Sequence, residues 1–352
     1  MDQRDLPVVL VTGTTGLVGR HVVLWAAQHG YRVRGLVRKP SSCAGFFPEE
    51  LMPVIELVEG DLEDGVSLEM AVQNVNFIVH CAAKVGDWGP TEEYRQVNVE
   101  GTRLLIEAAR KQPAFEKFVH ISSLGVFPAR DHYGTDEDVP VSTFGIDGYT
   151  LTKRESEQLV SDYSQKENFP AVILRPGFIY GPGDRSVLPR LIERLKTKQF
   201  AFLGSPEKLM NNTSVHNLVQ AVAAVLKHPT PAGRIYHVTD GRLVTKREFV
   251  ETVARCAKLP LPKKVVPLPV AKVLAKVLER IWKLLGKQEA PLLSSARIKF
   301  LGLNLDFSSH RIQMELGYQP VIDFQQAMPA AVADLCGEPA ETFVEPPQRK
   351  IA

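Results

Sequence analysis

The chain of 352 residues carries 42 Lys and Arg against 40 Asp and Glu, a net charge of +2, with 44% hydrophobic and 23% charged residues. This balance excludes disordered, collagen-like and fibrous classes, and it lacks the basic excess of a nucleic-acid binder. The length fits one large α/β unit with a smaller subdomain, and Cys43, Cys81, Cys256 and Cys336 lie too far apart for a zinc site or redox dithiol, so no metal is expected.

The first apolar run, Val8 to Val11, is too short for the core of a signal peptide, and no uncharged apolar stretch reaches the ~18 residues of a membrane span. The expectation is a reduced, cytoplasmic protein, soluble or peripheral to a membrane. Short β-branched runs follow at Val8 to Val11, Arg32 to Val37, Val54 to Val58, Phe77 to His80, Phe118 to Ile121 and Ala171 to Leu174, with helical spacing between them. Alternation of this kind predicts a doubly wound parallel sheet of Rossmann type. Between the first two runs, Leu17 to His29 has helical apolar spacing and stops at Gly30. From Gly181 onward the chain is Pro-rich, and Ile235 to Val238 reads as one more strand returning to the sheet. The expected division is 1–181 plus 212–240 for the dinucleotide-binding domain, 182–211 plus 241–335 for a mostly helical substrate subdomain, and 336–352 for a loosely ordered tail.

Gly13, Thr15, Gly16, Leu17 and Gly19 stand between the first strand and the first helix, where glycines permit a tight turn and backbone N–H groups can approach a pyrophosphate. An acid at the end of the second strand would hold the ribose of NAD, but no acidic residue occurs between Asp5 and Glu49. That strand ends Leu36-Val37-Arg38-Lys39, with Arg34 nearby, so Arg38 favours the 2′-phosphate of NADP, NAD being the alternative. Asp61 and Leu62 follow the third strand and suit the adenine edge. Tyr149 and Lys153 lie four residues apart, hence on one helix face, and Ser122-Ser123 ends the preceding strand run. Ser123 would hold a substrate oxygen and Tyr149 would move its proton, with the Lys153 charge lowering the phenol pKa.

These motifs, with His80-Cys81-Ala82-Ala83, Asn98 and Arg175-Pro176-Gly177, resemble the extended short-chain dehydrogenase/reductase superfamily, of the NAD-dependent epimerase/dehydratase type, from residue 8 to about residue 330. The resemblance implies hydride transfer at nicotinamide C4, a Tyr149–Lys153–Ser123 centre, and cofactor contacts from Ala82, Ala83, Asn98, Pro176 and Gly177; Asn98 reads equally as a buried structural amide. Superfamily members often pair through helices, so a homodimer is also implied. Departures from its nucleotide-sugar branch are Phe178 in place of an Asn, Met210-Asn211 in place of Arg-Asp, and Leu124-Gly125 in place of an acidic pair after the serine. The segments Ala83 to Gly89, Arg175 to Asp184, Val215 to Leu218 and Leu316 to Pro320 are similar instead to the 3β-hydroxysteroid dehydrogenase-like branch. That implies a secondary alcohol or ketone on a steroid or long-chain β-keto lipid, with Lys84, Trp88 and Phe178 beside it. A nucleotide-sugar epimerase and a non-catalytic NADP-binding scaffold are the alternatives.

Residues 270–287 add an amphipathic helix: Val270, Val273, Leu274, Val277, Leu278, Ile281, Trp282 and Leu285 recur at helical spacing against Lys272, Lys276, Arg280, Lys283 and Lys287. Its apolar side is expected to cover an apolar substrate pocket, the alternative being contact with an anionic membrane surface.

Overall fold

A computed structural model describes residues 6–229 and 232–337. The β-branched runs form one seven-stranded sheet from β1 Val8–Thr12, β2 Arg32–Val37, β3 Ile55–Glu59, β4 Phe77–His80, β5 Lys117–Ile121, β6 Ala171–Pro176 and β7 Arg234–Val238. Their spatial order is β3-β2-β1-β4-β5-β6-β7, and each neighbouring pair is parallel. The order reverses between β1 and β4, so connections diverge there and leave a crevice at the carboxyl ends of the two strands.

The longer helices, of seven residues or more, are α1 Leu17–Gln28, α2 Gly65–Ala71, α3 Gly101–Ala109, α4 Gly148–Glu167, α5 Leu188–Lys196, α6 Val215–Lys227, α7 Lys246–Cys256, α8 Leu268–Leu284, α9 Ser295–Gly302, α10 His310–Leu316 and α11 Phe324–Cys336. Alternate strand residues separate to two cores, which is why the strands read as nearly continuous apolar runs. Val9, Val11, Val79 and Val119 pack with α1, α6 and α10. Leu10, Ile78, Phe118 and Ile173 pack with α2, α3 and α4 on the opposite face. The expected doubly wound sheet is therefore the fold, and the run predicted at Val54 to Val58 pairs one residue later, at Ile55–Glu59.

Beyond the sheet, α5, α7 and α11 enclose a third core that includes Tyr180, Phe249 and Phe324. One buried amide joins it to the sheet: Asn217 Nδ2 donates to Asp240 at 2.7 Å and to Ile322 O at 2.9 Å, while Oδ1 accepts from Val321 N at 2.8 Å. Helix α8 departs from expectation. Its buried residues are Ala271 and Ala275, packed with Leu203 and Ile298, whereas Val273, Val277 and Ile281 face solvent. Two alanines let α8 sit close to α9, and close approach selects the small-residue side rather than the bulky one. The tail expected to be loose lies outside the described residues from residue 338 onward.

Candidate active site

The glycine loop is shaped by what stands behind it. Gly13 has φ of 68°, and a Cβ there would meet Ala82 N at 2.8 Å; a Cβ on Gly19 would lie 2.2 Å from Gly13 O. Only glycine allows β1, the loop and α1 to approach so closely. Helix α1 starts at Gly16 with no side-chain cap and no acid in its first turn, and Thr15 and Gly16 are exposed. First-turn N–H groups are thus left facing the crevice, the arrangement that binds a pyrophosphate. Leu17 is half-buried beside them.

At the end of β2, Val37 is buried and Arg38 is exposed, with no partner among the described residues. Arg34 turns away: its guanidinium donates to Glu56 at 2.9 Å and to the carbonyls of Ala71 and Gln73. Asp61 accepts from Glu63 N at 3.0 Å and so closes its own turn. The Leu62 side chain is buried in the second core.

Across the crevice, a chain of hydrogen bonds crosses the strand ends. Ala82 N donates to Thr12 Oγ1, which meets His80 Nδ1 at 2.8 Å; His80 Nε2 meets Thr102 Oγ1 at 3.0 Å. Burial pushes the His80 imidazole down to about 3, and the nearby Lys153 charge acts in the same sense, so the ring is neutral. Half-buried Ala82 and Ala83 lead to Lys84, whose N–H donates to Asn98 Oδ1 at 2.7 Å. Asn98 Nδ2 donates to Lys84 O and to Thr152 Oγ1, both at 3.0 Å. The Asn98 amide thus braces Lys84 against α4.

Helix α4 begins with a capping box in which Asp147 accepts from Thr150 N at 2.6 Å. That start places Tyr149, Lys153 and Glu157 on successive turns of one face. The Tyr149 phenol lies beside Ser123, which sits at the end of β5 and accepts from Gly125 N at 2.9 Å. Lys153 Nζ donates to Ile121 O at 2.8 Å, two residues before Ser123. Burial pushes the Tyr149 phenol up to about 12, opposed by the adjacent Ser123 hydroxyl. The Lys153 ammonium, one turn along the helix, is directed at the Ile121 carbonyl. Burial lowers Lys153 itself to about 8, with Cys81 and Glu157 acting against it. Glu157 in turn holds the buried Arg175 guanidinium by two bonds, at 2.9 and 2.7 Å.

Pro176 ends β6, and Gly177 follows with its N–H on Thr213 Oγ1; a Cβ at Gly177 would lie 2.4 Å from Asn211 O. Phe178 packs edge-on to Phe249 at 5.5 Å. Asn211 is consumed by Phe307, accepting from its N–H at 2.7 Å and donating to its carbonyl. Of the residues expected near the substrate, Lys84 is ion-paired with Glu93, and Trp88 Nε1 donates to Lys287 O at 2.9 Å, linking the 84–89 loop to the chain just beyond α8. Lys299 was not foreseen. From α9 its buried ammonium donates to Gly125 O and Phe127 O, fixing the turn that carries Ser123, and no local motif announces that role.

The geometry thus brings Ser123, Tyr149 and Lys153 together at the strand ends, facing the glycine loop across the crevice. The residues present fit a dinucleotide: an uncapped helix start, a cradle that a Cβ would fill, and an exposed Arg38. Among the described residues no His, Cys, Asp or Glu cluster could hold a metal. Comparison with known proteins agrees in kind. The model of the NAD dependent epimerase/dehydratase family matches residues 9–239. A 3-beta-hydroxysteroid dehydrogenase of Mycolicibacterium neoaurum is 31% identical, over 92% of this chain and 90% of its own. A 2-alkyl-3-oxoalkanoate reductase of Shewanella oneidensis is 28% identical, over 92% of this chain and 85% of its own. The crystal structure of gox2253 superposes with a TM-score of 0.75 at 27% identity, covering 94% of this chain and 98% of that one.

Proposed function

Since the chain belongs to the NAD dependent epimerase/dehydratase family, we propose that it is an oxidoreductase interconverting a ketone and a secondary alcohol on a bulky apolar substrate, with NADP preferred over NAD. The observation that carries the reading is the placement of the Tyr149 phenol beside Ser123, with Lys153 one helical turn further on and bonded to Ile121 O. When bound, the nicotinamide dinucleotide supplies a hydride or takes one up. The glycine loop and first turn of α1 hold its pyrophosphate, and Arg38 reaches a ribose 2′-phosphate.

The chain's own groups handle the proton. In reduction the substrate oxygen accepts hydrogen bonds from Ser123 and Tyr149, and the proton moves from the Tyr149 hydroxyl to that oxygen as negative charge develops. A phenol held near 12 keeps its proton throughout the neutral range, so Tyr149 stands ready as an acid. Oxidation of an alcohol is the reverse and needs the phenolate. The preference for an apolar substrate is supported by two relatives whose names specify a steroid and an alkyl keto acid. It is supported also by Met210 and Asn211, a buried thioether and an amide committed to Phe307, which offer no cation to a sugar diphosphate.

The test is nicotinamide absorbance with NADPH and NADH against 3-oxosteroids and 2-alkyl-3-oxo acids. Turnover is expected, and Tyr149→Phe is expected to lower kcat by about 100-fold or more. Unchanged turnover in Tyr149→Phe would remove the mechanism.

A further inference from the structure

Helix α8 can be divided into three arcs, since successive residues turn by about 100°. Ala271 and Ala275 form the buried arc. Val270, Val273, Leu274, Val277, Ile281 and Leu284 form a second, between 41% and 86% exposed. Lys272, Lys276, Arg280, Lys283 and Lys287 border it on one side, with no acidic partner among the described residues. The only acid of the helix, Glu279, is turned inward, accepting from Ser295 N at 2.6 Å and Ser295 Oγ at 3.0 Å.

A contiguous apolar strip of this size on a folded surface marks a contact, and its charge decides with what. A second copy of the same face would set cations against cations, which like-charge juxtaposition disfavours. An anionic lipid surface satisfies both arcs together: the apolar side chains enter the acyl boundary while the ammonium groups remain among the headgroups. Position adds a second argument. The chain just past α8 is tied to the 84–89 loop by Trp88 Nε1 on Lys287 O, and Asp87 of that loop accepts from Arg297 Nε at 2.7 Å.

We propose that the exposed face of α8 docks the protein on an anionic lipid surface and thereby seats the 84–89 loop against the bilayer, at the side from which an apolar substrate arrives. Docking itself does not depend on the proposed reaction; only the delivery of substrate rests on that reading.

The experiment is co-sedimentation of the full chain with vesicles of phosphatidylcholine alone and of phosphatidylcholine with roughly one third phosphatidylglycerol. Pelleting is expected with the anionic vesicles and should weaken as salt rises. Val277→Ser with Ile281→Ser, and separately Lys272→Glu with Lys276→Glu and Lys283→Glu, should each cut the bound fraction about tenfold at unchanged thermal midpoint. Pelleting that ignores both the anionic lipid and the charge reversals overturns the proposal. So does the absence of pelleting together with a concentration-dependent dimer that the serine variants dissolve. Turnover of a water-soluble ketone is followed in parallel: its loss from the parent chain with docking intact would fall on the reaction alone, and loss of docking with turnover intact would fall on the lipid surface alone.

Discussion

Tyr149 and Lys153 carry opposite shifts from the same cause. Desolvation disfavours whichever form is charged, so it raises the phenol to about 12 and lowers the ammonium to about 8. Ketone reduction uses the protonated phenol and the charged lysine; kcat/KM for reduction is therefore expected to be flat near neutrality and to fall as pH rises through about 8. Alcohol oxidation should climb over the same range, and paired pH–rate profiles in the two directions check both limbs. Arg38 sits where nothing else holds it, so Arg38→Glu should leave the unfolding midpoint unchanged. It should lower kcat/KM with NADPH by about tenfold or more, as a charge-assisted phosphate contact becomes a repulsion, with a smaller change for NADH. The residues proposed to handle the proton were legible because each belongs to a short local pattern. At Asn98 the pattern left a cofactor contact and a structural amide equally open, because a pattern names a position and not the neighbours that occupy its hydrogen bonds.

Within a single helix, α4 does three jobs in order along one face: Tyr149 lies beside Ser123, Lys153 donates to Ile121 O, and Glu157 closes on Arg175. The last pair is buried on both sides, with 4% and 5% of the side chains exposed. Glu157→Ala leaves a guanidinium in the core without its counter-charge and is expected to cost about 3 to 5 kcal/mol, read from urea unfolding. The seven strands were readable because parallel strands buried on both faces are continuously apolar, a signal that survives without tertiary knowledge. Helix α8 was readable as a helix but not in its orientation. Hydrophobic spacing identifies the wider apolar arc, whereas packing chose Ala271 and Ala275, whose smallness rather than hydrophobicity lets α9 approach.

Across the whole molecule, buried imidazoles set the acid limit. His80 and His237 are pushed down to about 3 and His216 to about 4, in each case chiefly by burial. Folded, these rings stay neutral where the unfolded chain would protonate near 6.5, so their contribution is complete above that value and is lost as pH falls from 6.5 towards 4 and 3. Calorimetry should find the denaturation temperature about 5 °C or more lower at pH 5 than at pH 7. Lys299 connects this scale to the first. It lies 174 residues beyond Gly125, whose carbonyl it binds, while the glycine cradle and Gly177 precede it by more than 120 residues. During synthesis on the ribosome the parts that recognise the cofactor thus emerge well before the side chain that secures the serine turn. The turn that carries Ser123 is therefore made long before the ammonium that fixes it, and the serine waits on a residue still to be added.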